Sequence, residues 1–308
     1  MDMALEVFIK VADKGSFTQA AAELNMTQPA VSQYIRALER SVGAKLLDRT
    51  NKYVRPTQAG EIVYHHARII LGTYTRMQTL VDDVLHRAGG ELSIGSSYTF
   101  GEYVLPRLLA NLKSRYPLIR PNIKIGNTDV IADMILNREA DIGIVEDEYQ
   151  HEKLAVEAFA EDEMLIVVPA EDRFNKKSEI GLEVLMEETW ILRESGSGTR
   201  RVTERMFSER GVQPASILEF GSTQLIKESV EAGLGITLLS RWTVQKELKL
   251  GTLHVLRLSG DPVKRPFSLL MQPTPYHTKA VQVFLELLKE LSGFQGLPSS
   301  SLRYNEHG

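Results

Sequence analysis

Residues 16–38 read SFTQAAAELNMTQPAVSQYIRAL. Two short amphipathic patterns are separated by Asn25-Met26. Ser16 stands where it can cap the first, and Ala20, Ala21 and Ala22 are small enough for a second helix to pack closely. Thr27 can cap the next helix, and Pro29 is tolerated in its first turn. In that helix the 3–4 spacing of Val31, Ile35 and Leu38 marks the inward face, which leaves Gln28, Ser32, Gln33 and Arg36 on the opposite one. A buried stripe backed by hydrogen-bonding side chains is the pattern of a helix-turn-helix whose second helix enters a major groove. There Gln pairs with adenine and Arg with guanine. The next stretch, LLDRTNKYVRPTQAG at 46–60, has two strand-like pieces around Thr50-Asn51-Lys52 and reads as a wing. Arg49, Lys52 and Arg55 would lie over phosphates, adding affinity without sequence information. The candidate DNA contacts are therefore Ser16, Thr18, Thr27, Gln28, Pro29, Ser32, Gln33, Arg36, Arg49, Lys52 and Arg55. Read from the residues alone, a solvated three-helix bundle with a basic face stays open.

Charge supports the division. The whole chain of 308 residues carries a formal net charge of −4, which argues against a nucleic-acid partner. Residues 1–90, however, carry a net +2 and the remainder −6, and the segment 27–58 alone carries +4. After residue 58 the apolar positions Val63, Ala67, Ile70, Tyr74, Met77, Val81, Val84 and Ala88 step alternately by four and three, a heptad seam that predicts a paired helix, with a single amphipathic helix lying on its own domain as the alternative, ended by Gly89-Gly90. From residue 91 short β-rich runs (92–95, 123–125, 141–145, 165–168, 190–192, 236–239, 268–271) alternate with helical patterns (104–114, 130–137, 199–210, 224–232, 279–291). That alternation predicts an α/β fold of βαβ units around a mostly parallel sheet. Residues 294–308 are rich in Ser and Gly, and a disordered tail is expected.

The run from Phe17 to Gly60 resembles the LysR-type transcriptional regulators. The family's small pair, Leu and Ser/Thr-Gln-Pro/Ser-Ala/Ser-Val-Ser are met by Ala21-Ala22, Leu24 and Thr27-Gln28-Pro29-Ala30-Val31-Ser32. Leu38-Glu39, Val42-Gly43, Leu46-Leu47 and Arg49 follow in register, and Thr57-Gln58-Ala59-Gly60 matches the opening of the linker helix. Leu46-Leu47-Asp48-Arg49 departs modestly from the commoner Leu-Phe-x-Arg. The resemblance implies a winged helix-turn-helix over 1–58, a dimerising linker helix over 59–89, and over 90–293 an effector domain like the periplasmic binding proteins. That domain would have two α/β subdomains, about 90–161 with 267–293, and 162–266. It also implies double-stranded DNA bearing an imperfect palindrome, a small-molecule effector, RNA polymerase and a homodimer or homotetramer as partners, in the bacterial cytoplasm.

In such a fold the ligand lies between the subdomains, at strand carboxyl ends and helix N-termini. The segments placed there are Ser96, Ser97 and Thr99; Asn127 and Thr128; Glu146; Ser195, Gly196, Ser197 and Thr199; and Ser222 and Thr223. Their hydroxyls and backbone N–H groups suit a small anionic metabolite, while the charge of Glu146 keeps an amino-acid-like effector open. The alternative reading is that all five segments are plain helix N-caps, the commoner role of Ser and Thr before a helix. The loop Ser195-Gly196-Ser197-Gly198-Thr199-Arg200 is similar to one in subgroups tied to sulfur assimilation or carbon fixation.

Other classes lack their chemistry. There is no cysteine, which excludes disulfides, thiolate catalysis and cysteine-ligated metals. Arg201 stands where a dinucleotide fingerprint needs a third glycine, and no Gly-Lys-Ser/Thr, Gly-x-Ser-x-Gly or His-Glu-x-x-His occurs. No catalytic residue, cofactor or metal is expected, so an α/β enzyme is the weaker alternative. A solute-binding protein would share the C-terminal fold, but MDMALEVFIK has neither the basic nor the apolar region of an export signal.

Overall fold

A computed structural model describes residues 2–49, 54–84, 90–170 and 180–294. The chain divides into two compact units, Met1–Arg87 with Asn137–Glu139, and the remainder.

The first unit begins with α1 (Asp2–Lys14), α2 (Phe17–Glu23) and α3 (Gln28–Val42). Ser16 Oγ accepts from Gln19 N at 3.3 Å and Thr27 Oγ1 from Ala30 N at 3.4 Å, so both expected caps form. Gly43 ends α3 in the left-handed conformation at φ 76°. Val31 and Ile35 of α3 are fully buried against Val7, Phe8 and Ala20. Lys10 and Lys14 both pair with Glu23 and tie α1 to α2. The strands β1 (Leu47–Arg49) and β2 (Val54–Pro56) form the antiparallel wing, with Asp48 opposite Arg55. The expected wing tip at 50–52 lies outside the described residues.

Helix α4 (Gln58–Val84) leaves the wing tightly: a Cβ on Gly60 would sit 2.0 Å from the Leu46 carbonyl oxygen, so only glycine fits. The heptad seam divides along this helix. Val63 and Ala67 pack into the core of their own unit, whereas Ile70, Tyr74, Met77 and Val81 are exposed by 43–53%. Ala88 and Gly89 lie outside the described residues.

The second unit starts β3 (Glu91–Ser97), α5 (Tyr98–Tyr103), α6 (Leu105–Arg115), β4 (Arg120–Gly126), α7 (Thr128–Leu136) and β5 (Ile142–Glu146). The long β6 (Ala155–Pro169) then carries the chain into a second half. That half holds β7 (Thr189–Arg193), α8 (Gly198–Glu209), β8 (Ser216–Phe220), α9 (Thr223–Glu231), β9 (Thr237–Ser240), α10 (Gln245–Leu250) and β10 (Leu253–Leu256). Strand β11 (Lys264–Met271) returns to the first half, and α11 (Lys279–Phe294) closes it.

Strand order is β10-β6-β11-β5-β3-β4 with β9 also on β6, and β7 pairs β8 separately. The mostly parallel sheet expected from the βαβ rhythm is corrected here. Among the described strands β3–β4, β3–β5 and β7–β8 pair in parallel, with isolated parallel bridges at Trp190–Ile236 and Ile180–Leu258, while β6 and β11 are antiparallel to each other and to their remaining strand neighbours. The cause is the double crossing: a chain that leaves one half and returns beside its own path must run back antiparallel. The first half is cored by Leu92, Ile94, Phe100, Ile142 and Phe284. The second is cored by Trp190, whose indole Nε1 donates to the Leu185 carbonyl at 2.9 Å, packed edge-on against Phe207.

Candidate functional site

On α3 the residues expected to face DNA lie on the surface. Gln28, Pro29, Gln33 and Arg36 are exposed opposite the buried Val31, Ile35 and Leu38, and Ser32 is half-buried. Gln28 Nε2 donates to Ser32 Oγ at 3.0 Å, which holds the two side chains one turn apart in a fixed relation. Thr18 is exposed at the start of α2, and Arg55 is exposed on β2. Arg49 closes β1, and Lys52 lies outside the described residues.

In the second unit the loop after β7 is pressed against the first half. A Cβ on Gly198 would stand 2.3 Å from the Glu146 carbonyl oxygen, and one on Gly196 would stand 2.9 Å from Asp129 Oδ2. Into this junction β11 delivers Arg265, whose side chain has no solvent exposure. Its Nε donates to Asp162 Oδ2 at 2.8 Å. Nη1 donates to Thr199 Oγ1 at 2.9 Å and to Glu146 Oε2 at 3.3 Å, and Nη2 donates to Thr99 Oγ1 at 3.0 Å. One guanidinium thus gathers Thr99 and Glu146 from the first half, Thr199 from the second and Asp162 from the crossing strand. Burial works against its charge, but the Glu146 and Asp162 carboxylates outweigh that and hold Arg265 above its ordinary pKa. Burial pushes the Asp162 carboxyl up, against the opposing pull of Arg265 and of Ser240, which donates to it at 2.7 Å.

Glu146 is already committed. Its Oε1 accepts from the backbone N–H groups of Thr99 at 2.7 Å and Phe100 at 3.2 Å, and its Oε2 accepts from Arg265. The neighbouring Asp147, buried with φ 78°, accepts from Arg205 at 2.8 Å and lies 3.6 Å from Arg201. Two successive carboxylates at the end of β5 therefore bind the first half to β11 and α8.

The hydroxyls separate into caps and others. Ser222 Oγ accepts from Leu225 N at 3.4 Å and Asn127 Oδ1 from Val130 N at 3.1 Å, so these two cap their helices. Ser97 and Ser197 stand at cap positions without a side-chain capping bond; Ser97 Oγ instead donates to the Ile144 carbonyl at 3.2 Å. Ser96 Oγ turns to the Ser97 carbonyl at 3.2 Å, Thr128 Oγ1 reaches the Glu146 carbonyl at 3.5 Å, and Thr223 Oγ1 accepts from Arg193 at 3.1 Å. Ser195 is exposed and Gly196, at φ 84°, is the loop's turn. Thr99 and Thr199 come from opposite halves and each hydroxyl accepts from the same guanidinium, that of Arg265.

Three residues here had no signal in the sequence reading: Arg265, Asp162 and Arg193. The buried Arg193 donates to both Glu194 oxygens at 2.7 and 2.9 Å and lies 4.5 Å from the centre of the Tyr98 ring. Burial opposes the charge of Glu194, but this guanidinium holds its carboxyl below the usual range. Among the described residues no group of three His, Asp or Glu side chains is arranged to hold a metal ion. A hollow of about 700 Å³ lined by Glu163, Met164, Arg241, Leu248, Lys249 and Arg257 shares none of the expected effector residues.

Comparison with known proteins agrees with this architecture. A family model described as the LysR substrate binding domain matches residues 85–293, and one described as a bacterial regulatory helix-turn-helix protein of the lysR family matches residues 3–61. The chain is 35% identical over 285 residues to the HTH-type transcriptional regulator CysL of Bacillus subtilis, covering 92% of this chain and 95% of that relative. It is 29% identical to the regulatory domain of CcmR from Synechocystis PCC6803, solved in complex with 2-PG, with a TM-score of 0.61 over 66% of this chain and 97% of that one. Full-length CbnR, solved with its target DNA, has the same fold at 21% identity and a TM-score of 0.71, covering 94% of this chain and 99% of that one. The chain belongs to the LysR family of bacterial transcriptional regulators.

Proposed function

We propose that this regulator binds duplex DNA through α3 and the wing, and that a small acidic metabolite seated between the halves of its second unit alters that binding. Residues 1–58 form the DNA-binding domain, 59–89 the pairing helix and 90–293 the sensor, divided near 162 and 266. The observation that carries the sensor reading is the pair of threonines. Thr99 and Thr199 come from opposite halves, are buried, and both spend an acceptor site on Arg265. A hydroxyl polarised by a cation is a good donor, so the pair selects a ligand rich in acceptors. Glu146, with both oxygens engaged inside the protein, has little left for a ligand ammonium, which favours an anion over an amino-acid-like effector. The 2-PG carried by the related CcmR domain supports the same direction.

Mechanistically the ligand biases two placements of the paired DNA-binding domains, changing DNA bending and contact with RNA polymerase. It can do so only by the difference in its affinity for the two states. The protein acts in the cytoplasm, without catalysis. The test is a thermal-shift screen of the full-length protein against acidic metabolites, 2-PG included. A ligand at about 100 times its Kd stabilises the fold by about 2.7 kcal/mol. Thr199→Val should abolish that shift while leaving DNA affinity intact, and an equal shift in the variant rejects the site.

A further inference from the structure

The DNA-contact residues read from the sequence end at Arg36 on α3, but a basic hollow continues past them. It measures about 750 Å³ and is lined by Gln33, Arg36, Glu39, Arg40, Gly43 and Lys45. Its one carboxylate is turned to the backbone: Glu39 Oε1 accepts from Leu46 N at 2.9 Å and from Leu47 N at 3.4 Å. The three cations Arg36, Arg40 and Lys45 are exposed. Arg40 Nε donates to the Arg36 carbonyl at 3.3 Å, which lays the guanidinium back along the helix. The far wall is fixed too, because Thr57 Oγ1 donates to the Lys45 carbonyl at 2.8 Å and Thr57 N to the Leu46 carbonyl at 2.9 Å.

We infer that this hollow seats a phosphate of the DNA backbone, with Arg40 and Lys45 as its charged walls. The inference rests on the DNA-binding reading and extends it. A helix that puts residues 32–36 on base edges carries position 40 about 6 Å further along its axis, at about 1.5 Å per residue. In a major groove about 12 Å wide that step leads from the bases to the phosphate wall. Such a contact adds affinity and carries no sequence information. The competing explanation is local: cations near a helix C-terminus also complement its dipole.

The experiment is a salt titration of full-length protein on two short duplexes, one of random sequence and one carrying a selected site, followed by fluorescence anisotropy. Each phosphate neutralised contributes about 0.9 to the slope of log K against log salt. Arg40→Gln with Lys45→Gln should lower the slope by about 0.9 for each subunit engaged, about 1.8 for a pair on two half-sites, and weaken both duplexes by the same factor. Lys45→Gln alone provides a milder variant should the pair disturb the fold. Arg107→Gln with Lys113→Gln removes equal charge from α6 in the other unit and should leave the slope unchanged. An unchanged slope in the hollow variants, with only their thermal stability lowered, assigns the cations to the helix dipole and overturns the inference. So does an equal loss in the α6 control. If the unmodified protein binds neither duplex, the DNA-binding reading itself fails and the hollow with it.

Discussion

Arg265 places a charge where no water reaches, and its neighbours show what that charge balances. Without it the carboxylates of Glu146 and Asp162 remain buried, one held among the described residues by two backbone N–H donors and the other by Ser240. Removing one partner of a buried ion pair costs about 3–5 kcal/mol, whereas replacing the whole pair with apolar groups is often neutral. Arg265→Met is therefore expected to destabilise the second unit by that amount in urea unfolding. Adding Asp162→Leu should restore part of the loss rather than deepen it. These partners also explain what the sequence left hidden. Thr99, Thr199 and Glu146 were legible because each follows a β-rich run at the entry to a loop or helix. Arg265 lies 66 to 166 residues from the threonines and carboxylates it binds, within a run whose local pattern is that of an ordinary strand. Arg193 was hidden for the same reason, since its Tyr98 and Thr223 partners come from other elements.

Among the elements, α2 and α3 were the most legible because caps, apolar spacing and the intervening turn all agree locally. The second unit was read less completely. Strand β8 is a short edge strand whose residues are exposed or half-buried, so its apolar signal is weak; β10 is only four residues long. The first half of β6 carries acidic residues at 157, 161 and 162 with no period of two, and it lies outside the β-rich runs of the sequence; β11 pairs with it. On α3, Arg36→Ala should relax base preference at one position of the site by about 1–3 kcal/mol. Binding titrations against single-base variants check this, and an equal loss on every sequence would make Arg36 a phosphate contact. On α4 the exposed seam from Ile70 to Val81 is the surface we propose for helix pairing. Ile70→Glu with Met77→Glu should reduce the mass measured by light scattering to that of a smaller assembly, and an unchanged mass would assign those residues to another role.

For the whole molecule, the net charge of −4 averages two unlike parts. The basic segment 27–58 lies in the first unit, and the net −6 lies after residue 90. An acidic sensor would be repelled by the duplex, so the proposed contact is expected at the helix, the wing and the basic hollow. Paired α4 helices would present two such surfaces, so the site read by the assembly should consist of two half-sites spaced by turns of the double helix. The most direct test is selection of bound duplexes from a random pool by the full-length protein at moderate salt. The expected result is enrichment of an imperfect palindrome whose half-sites lie a whole number of helical turns apart. A bound pool indistinguishable from the input, or enrichment of a solitary half-site, would contradict a paired regulator that reads DNA through α3.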